Sequence, residues 1–150
     1  SLGVKLKLSS TKTIVKNKSI ILIDDSLVRG TTCHKIVKML YENGAKEVHV
    51  RIACPEIRYP DFYGVDMPTK EELLAHEKNN KEMCEYIKAK SLKFLSLDGL
   101  YNALIKEKRN PSYPQFSDHY FTGDYPIKPY DNLNSVKVKQ LSLLSAKSNS

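Results

Sequence analysis

The 150-residue sequence has few cysteines and no long apolar run. Its three cysteines, Cys33, Cys54 and Cys84, are odd in number and form no C-x-x-C pair, which argues against a disulfide framework and against a zinc site. Reduced thiols of this kind predict a cytoplasmic protein. The longest purely aliphatic run, Ile20 to Ile23, is far shorter than the roughly 20 residues that cross a bilayer, so we predict no membrane role.

The start of the sequence lacks the usual signals as well. The first residue is Ser1 rather than methionine, and residues 1–8 do not contain the charged, apolar and small-residue regions of a signal peptide. We therefore expect that the chain has lost its beginning. At the other end, residues 145–150 are polar enough to fray.

Acidic residues are missing from the first twenty positions. The net charge is +7, and Lys5, Lys7, Lys12, Lys16 and Lys18 supply five of these charges. A basic run without interleaved aromatic residues is more typical of a solvated surface than of a polynucleotide-binding face. We therefore predict no nucleic-acid partner, although the same charge could serve a small anionic substrate.

The first third of the sequence predicts one β-α-β unit. Ile20 to Ile23 are all aliphatic, which is typical of a strand covered on both faces in a parallel sheet. From Thr32 the apolar residues recur at helical spacing until Asn43-Gly44, a pair that favours a helix end. A second strand follows at residues 48–53. The two strands should lie parallel, and ligands should collect beyond their carboxyl ends, where residues 24–32 lie.

Weaker patterns predict the remaining elements. Thr69-x-x-Glu72 and Asn79-x-x-Glu82 resemble helix-capping boxes. After Arg109 four prolines interrupt a polar stretch, which we interpret as extended chain lying over another surface. The predicted elements are an alternating strand at residues 4–8, helices near residues 70–77 and 81–88, a strand at residues 92–95 and a helix at residues 97–106.

Two consecutive acids, Asp24 and Asp25, follow the apolar strand directly. Adjacent carboxylates repel each other unless cations or hydroxyl donors share them. A ribose diol with a magnesium ion supplies both. Since side chains alternate along an extended backbone, the two acids need not have the same role.

The loop after the acids has the composition of a phosphate-binding site. Ser26, Thr31 and Thr32 supply hydroxyls, and Gly30 supplies a permissive backbone. The N–H groups and the dipole of the following helix favour a phosphate dianion, and Arg29 can add a charge-assisted contact or face solvent. A simpler alternative is that the acids cap a turn and that Thr31 or Thr32 is a helix N-cap.

The complete string resembles the ribose-phosphate signature of the type I phosphoribosyltransferases, in the form found in the glutamine amidophosphoribosyltransferase family. It reads I-I-L-I-D-D-S-L-V-R-G-T-T over residues 20–32. Three later segments resemble the same family: A-C-P-E-I-R-Y-P-D-F-Y-G-V-D-M-P-T at 53–69, S-L-K-F-L-S-L-D-G-L at 91–100 and F-T-G-D-Y-P at 121–126. The resemblance implies an α/β fold, an incomplete type I phosphoribosyltransferase domain with a mainly parallel sheet and flanking helices, plus an extended C-terminal tail.

The resemblance also implies a domain organisation. Residues 1–109 correspond to the C-terminal portion of the phosphoribosyltransferase domain, and residues 110–150 to an extended C-terminal segment. The family's N-terminal glutaminase domain, which begins with the cysteine that attacks glutamine, is absent from the sequence. No catalytic residue of that domain is therefore expected here, and Cys33 is interpreted as a small buried thiol rather than as a substitute.

The resemblance implies that Asp24 and Asp25 face the ribose hydroxyls and the magnesium ion of phosphoribosyl pyrophosphate. Ser26 and residues 29–32 would line the 5′-phosphate pocket. The implied reaction replaces pyrophosphate at the ribose C1 by ammonia from glutamine, giving 5-phosphoribosylamine at the entry to purine (IMP) synthesis. The implied partners are purine nucleotides as feedback ligands and, at full length, further copies of the same chain.

Some relatives hold an iron–sulfur cluster through cysteines in these segments. At the matching places this sequence has Asp61, Ser117 and Tyr120. Carboxylate, hydroxyl and phenol cannot replace thiolate ligands of a cluster, so we expect none. The four histidines are dispersed and predict no metal site.

Three functional interpretations stay open. The chain could be a fragment of an amidophosphoribosyltransferase that is inactive alone, or a non-catalytic nucleotide-binding remnant or regulatory module. It could also be a phosphoribosyltransferase with a different acceptor, which segments 53–69 and 121–126 disfavour.

Overall fold

The computed structural model describes residues 12–65 and 68–127. The predicted strand at residues 4–8 and the tail from residue 128 onward lie outside these described residues. Within them, the elements are α1 Lys12–Val15, β1 Ser19–Asp24, α2 Thr31–Glu42, β2 Glu47–Ile52, a 3₁₀ turn Lys70–Glu72, α3 Leu74–Glu77, α4 Asn80–Tyr86, β3 Ser91–Phe94, α5 Leu97–Ile105 and α6 His119–Thr122.

The three strands form one parallel sheet in the order β1-β2-β3. In the register of the first pair Ile20 lies opposite Val48, and Asp24 lies opposite Ile52. Helix α2 connects β1 to β2, as parallel neighbours require. The predicted β-α-β unit and the α/β fold class are therefore confirmed. No helix among the described residues is long and apolar enough to cross a membrane.

Helix α2 ends where the Asn43-Gly44 pair predicts. The Asn43 N–H donates to the Met39 carbonyl at 3.0 Å, and the Gly44 N–H donates to the Tyr41 carbonyl at 2.9 Å. Gly44 has φ of +90°, a backbone conformation that glycine adopts without steric cost. The turn therefore satisfies carbonyls that the helix end would otherwise leave open.

The hydrophobic core lies on one face of the sheet. Val48, Val50 and Ile52 of β2 are buried there, together with Val37 of α2 and Met83 of α4. The alternation of β2, with every second residue buried, follows from the two-residue period of a strand. This packing fixes the direction of α2 and of the loop that precedes it.

The opposite face of β1 is open within the described residues. Ile20 and Leu22 pack against the core, whereas the side chains of Ile21 and Ile23 are 64% and 73% exposed. The prediction of a strand covered on both faces is therefore wrong for the described part of the chain. The reason is that a short aliphatic run carries no period, so it cannot indicate which face is covered.

The two predicted capping boxes lie at the N-terminal ends of helix α4 and of the 3₁₀ turn. Asn79 Oδ1 accepts from the Glu82 N–H at 3.0 Å, and Glu82 Oε2 accepts from the Asn79 N–H at 2.7 Å, a reciprocal capping box. Glu72 Oε2 likewise accepts from the Thr69 N–H at 3.1 Å. However, Leu73 is extended, with φ of −76° and ψ of 113°, so the single helix predicted over residues 70–77 is interrupted at this residue.

Residues 106–127 pack against the rest of the described chain through a buried polar cluster. The Tyr101 hydroxyl donates to Asp118 at 2.8 Å, and the Arg109 Nε donates to the same carboxylate at 2.5 Å. The sequence predicted extended chain here, and the structure adds the short helix α6. The described part of this region is thereby anchored to α5.

Candidate functional site

The candidate site is the loop between β1 and α2. Ten consecutive residues, 24–33, line a pocket of about 340 Å³ at the carboxyl end of β1. All seven residues that the sequence singled out for binding lie in this wall. They are Asp24, Asp25, Ser26, Arg29, Gly30, Thr31 and Thr32.

The two acids occupy different environments. Asp24 is the last residue of β1 and is half-buried, whereas Asp25 is exposed. Asp24 Oδ1 accepts from the Asp25 N–H, and Asp25 Oδ1 accepts from the Ser26 hydroxyl, both at 3.1 Å. Within the described part of the chain the second oxygen of each carboxylate has no hydrogen-bond partner. Each acid can therefore accept from a ligand hydroxyl or bind a cation.

Gly30 forms the N-cap of helix α2. Its φ is +73° and no side chain caps the helix, so the alternative that Thr31 or Thr32 is the N-cap is wrong. A Cβ atom on Gly30 would lie 2.7 Å from Cδ2 of Leu74 and 3.1 Å from a ring carbon of Tyr86. The positive φ therefore favours glycine here, and a Cβ atom would in addition displace the Leu74 side chain.

The helix end after Gly30 is suited to an anion. The first N–H groups of a helix have no partner within the helix, and they carry the positive end of its dipole. Thr31 and Thr32 on this first turn are both exposed and both line the pocket. This combination favours a phosphate dianion.

Arg29 lines the pocket, but its charged group contacts Glu72. Arg29 Nε and Nη2 both lie 3.1 Å from Glu72 Oε1. The sequence indicated only a capping-box role for Glu72 and did not predict this contact. Since 43 residues separate the two side chains, no local pattern indicated it.

The cysteine thiols near the loop are not poised for nucleophilic chemistry. Burial, with a smaller contribution from the Asp24 charge, raises the pKa of Cys33 to about 11. Burial and the Asp25 charge raise the pKa of Cys54 to about 11, against a lowering contribution from the Leu27 N–H. Both thiols stay protonated at neutral pH, which confirms the interpretation of Cys33 as a small buried thiol.

The donor set around the acids fits magnesium better than a transition metal. The described residues contain no group of three or more His, Cys, Asp or Glu side chains that could hold a metal ion. Magnesium is usually bound by one or two carboxylates, with water and substrate phosphates completing its shell. Asp24 and Asp25 with their open oxygens meet that requirement.

Two of the three residues at the positions of the relatives' cluster cysteines, Asp61 and Tyr120, lie side by side. Burial, with smaller contributions from the Asp61 charge and a side-chain hydrogen bond to Asp61, raises the pKa of Tyr120. Asp61 is hydrogen-bonded to His119, and Ser117 is exposed. The Tyr120 carbonyl accepts from the Arg58 and Tyr59 N–H groups at 2.9 and 3.1 Å.

A second pocket of about 440 Å³ lies at the carboxyl ends of β2 and β3. Its polar lining includes Arg58, Asn80, Lys93 and Ser96. Arg58 Nε donates to Glu56 at 3.0 Å, so part of its charge is already neutralised. The sequence did not predict this pocket, because its lining residues come from four separate segments.

The fold and the loop together define a segment of a phosphoribosyltransferase-type α/β domain. Over nearly its whole length, the chain is homologous to one segment of amidophosphoribosyltransferase. It is 51% identical over 145 residues to the amidophosphoribosyltransferase of Rhizobium etli, and this alignment covers 96% of this chain and 29% of the relative. It is 50% identical over 129 residues to that of Staphylococcus aureus, covering 86% of this chain and 26% of the relative. No family model matches.

Solved structures agree with the curated relatives. The glutamine phosphoribosylpyrophosphate amidotransferase of B. subtilis, complexed with ADP and GMP, superposes with a TM-score of 0.73 and 40% identity. That match covers 81% of this chain and 26% of the solved chain. A structure described as the allosteric regulatory enzyme of purine biosynthesis gives a TM-score of 0.68 at 40% identity. The chain thus spans less than a third of the length of the relatives that it matches.

Proposed function

We propose that this chain supplies the ribose-phosphate part of an amidophosphoribosyltransferase site. The observation that carries the proposal is the pocket made by residues 24–33, which combines two carboxylates with open oxygens and a helix start that no side chain caps. The ligand is phosphoribosyl pyrophosphate, and the pathway is purine synthesis. The name of the B. subtilis structure supports the first assignment, and the description of the second solved structure supports the other.

In this proposal Asp24 and Asp25 hold the ribose hydroxyls and a magnesium ion. Their second oxygens are open to such ligands within the described residues. Magnesium, when bound, offsets the negative charge of the departing pyrophosphate. The carboxylates themselves offset cationic character at the sugar ring.

The 5′-phosphate occupies the other end of the pocket. The N–H groups of the first turn of α2 and the hydroxyls of Ser26, Thr31 and Thr32 bind its oxygens. Gly30 lets the backbone come close without a Cβ atom. The sugar is thereby held at both ends, which orients C1 for the incoming nitrogen.

In the whole protein, the proposed reaction breaks the bond between C1 and the pyrophosphate oxygen and forms a bond from C1 to ammonia nitrogen. Glutamine supplies the ammonia. The thiols of this chain do not support amide attack, because burial raises the pKa of Cys84 as well as those of Cys33 and Cys54. We therefore propose that the 150-residue chain binds the sugar phosphate weakly and is inactive alone.

The full-length protein should have further ligands and a defined location in the cell. The B. subtilis structure holds ADP and GMP, and we propose purine nucleotides as feedback ligands of the full-length protein here. We also propose a homo-oligomer at full length and a cytoplasmic location. No iron–sulfur cluster is expected, since Asp61 takes the place of a thiolate. About four irons per chain with matching sulfide in an anaerobic preparation would contradict this.

A second candidate function is a non-catalytic nucleotide-binding or regulatory module. One observation favours it: the phosphate pocket is built from ten consecutive residues, so it can form without the rest of an enzyme. Ligand binding without turnover fits both functions. A hybrid protein distinguishes the two functions. In it, this chain replaces the matching segment of a relative that has a glutaminase domain, and release of pyrophosphate from phosphoribosyl pyrophosphate is measured.

Titration of the chain with phosphoribosyl pyrophosphate and magnesium tests the site. We expect weak binding that Asp25→Asn and Thr31→Val both reduce. The matched control is Asp98→Asn, which changes an exposed aspartate in the first turn of α5 and should leave binding unchanged. Pyrophosphate release should stay at background with glutamine or with high ammonium. Strong release that Asp25→Asn abolishes would show that the chain is a complete enzyme.

A further inference from the structure

Arg29 belongs to the loop between β1 and α2, which we call the phosphate loop, but its side chain contacts a distant segment. Its guanidinium donates to Glu72 Oε1, with Nε and Nη2 both at 3.1 Å. The other oxygen of the same carboxylate accepts from the Thr69 N–H at 3.1 Å. Glu72 therefore connects the phosphate loop to the backbone at the start of the 3₁₀ turn.

Two further contacts join the loop to this segment. The Leu74 N–H donates to the Val28 carbonyl at 2.9 Å. Gly30 lies so close to the Leu74 side chain that a Cβ atom would come within 2.7 Å of it. Residues 28, 29 and 30 are thus each held by residues 72–74, just before the helix that would bind the phosphate.

We propose that Glu72 is a positioning residue for the phosphate loop, and that Arg29 acts through Glu72 rather than as a ligand of the phosphate. Glu72 holds the guanidinium, and the backbone N–H groups and hydroxyls of residues 26–32 bind the anion. The inference rests on the proposed function, since it assigns roles within the same pocket. Both side chains are about half exposed, at 53% and 47%, so the effect on affinity should be modest, up to about fivefold.

The test uses four variants of the ¹⁵N-labelled 150-residue chain. Glu72→Gln and Arg29→Gln each remove one partner, and Arg29→Glu combined with Glu72→Arg exchanges the two charges. Glu71→Gln is the matched control, because Glu71 is an exposed glutamate on the same 3₁₀ turn. Ribose 5-phosphate with magnesium is titrated while the loop amide shifts are followed. Hydrogen exchange of the amides of residues 28–32 is measured without ligand.

A positioning role predicts faster loop exchange and up to about fivefold weaker binding in both single variants, with recovery towards wild type on charge exchange. Glu71→Gln should change neither. If Arg29 is a direct phosphate ligand, the exchanged chain places a carboxylate in the pocket. Affinity then falls by more than about tenfold without recovery, which overturns the proposal.

The two proposals fail in different ways. If the wild-type chain gives no shift with ribose 5-phosphate, the proposed function of the pocket fails. The exchange measurement still decides the positioning role, because it needs no ligand. Unchanged loop exchange in both Glu72→Gln and Arg29→Gln would overturn that role whatever the affinity.

Discussion

The imidazole Nε2 of His119 lies 2.8 Å from the carboxylate Oδ1 of Asp61, and both side chains are 1% exposed. Aromatic rings surround the imidazole: that of Tyr120 has its centroid at 4.0 Å, and that of Tyr125 at 5.1 Å. The other oxygen of Asp61 accepts from the Tyr63 and Val65 N–H groups at 2.9 and 2.8 Å. The pair therefore joins the loop after residue 59 to helix α6.

The Asp61–His119 pair should make the stability of the fold depend on pH in the acidic range. Burial raises the pKa of Asp61, but the Val65 N–H, the His119 side chain and the Tyr63 N–H together lower it from 3.8 to about 2. Because the folded-state pKa lies below the ordinary value, the ionised Asp61 carboxylate stabilises the fold fully at pH values above 3.8. This stabilisation is lost as the pH falls towards 2. Asp61→Asn should lower the melting temperature at pH 7, and its difference from wild type should shrink between pH 4 and pH 2.

Thermal unfolding followed by circular dichroism at several pH values measures this difference. Asp98→Asn is the control, because Asp98 is exposed on α5. A difference between wild type and Asp61→Asn that stays constant down to pH 2 would contradict the assigned role of the pair.

The carboxylate of Asp118 is the buried centre of a second polar cluster. Burial raises its pKa, but hydrogen bonds from Arg109 and Tyr101 lower it in net. Asp118→Ala should destabilise the chain by about 3 kcal/mol, because it leaves a guanidinium and a hydroxyl without their buried acceptor. Asp124→Ala is the matched control. It also pairs with Arg109 but is 59% exposed, and it should cost less than about 1 kcal/mol.

Urea unfolding of wild type and of the two variants measures both changes in the free energy of unfolding. Equal losses for Asp118→Ala and Asp124→Ala would mean that burial does not distinguish the two carboxylates.

Local patterns predicted the strands and helix ends but not the contacts between segments. The end of α2 at Asn43 and the capping box at Asn79 depend on neighbouring residues, so the sequence could indicate them. The Arg29–Glu72 and Asp61–His119 pairs join residues 43 and 58 positions apart. Their geometry depends on the tertiary fold, which spacing does not encode. For the same reason, the loop residues of the pocket were predictable whereas the supporting Glu72 was not.

Alanine substitutions at Gly30 and Gly64, compared with each other, separate the cost of backbone strain from the cost of steric contact. Gly30→Ala places a Cβ atom at positive φ and 2.7 Å from Leu74. We expect a loss of about 1–3 kcal/mol in stability together with weaker binding of ribose 5-phosphate. Gly64→Ala provides the control, because Gly64 also has positive φ, at +112°, and its Cβ would meet nothing within 4 Å among the described residues. It should retain the strain alone and leave binding unchanged.

Urea unfolding and ligand titration of both variants check this prediction. If Gly30→Ala and Gly64→Ala lose equal stability and bind equally well, close packing of Gly30 on Leu74 has no role in the pocket.

The open face of β1 should make the isolated chain associate with itself. Ile21 and Ile23 are exposed there, and β1 is the first strand of the sheet, with no strand on its outer side among the described residues. An unpaired strand edge beside exposed aliphatic side chains favours pairing with another chain. The opposing residues on β2 are His49 and Arg51, so the apolar surface is confined to β1.

Replacing both Ile21 and Ile23 by threonine should therefore shift the chain towards monomer in sedimentation velocity. Threonine retains the β-branched shape that suits a strand, so the sheet itself should be preserved, and unchanged circular dichroism would verify this. Ile14→Thr is the control, because Ile14 is also exposed but lies on α1. If wild type already sediments as a monomer at high concentration, or if Ile14→Thr has the same effect, then the open face of β1 does not drive association.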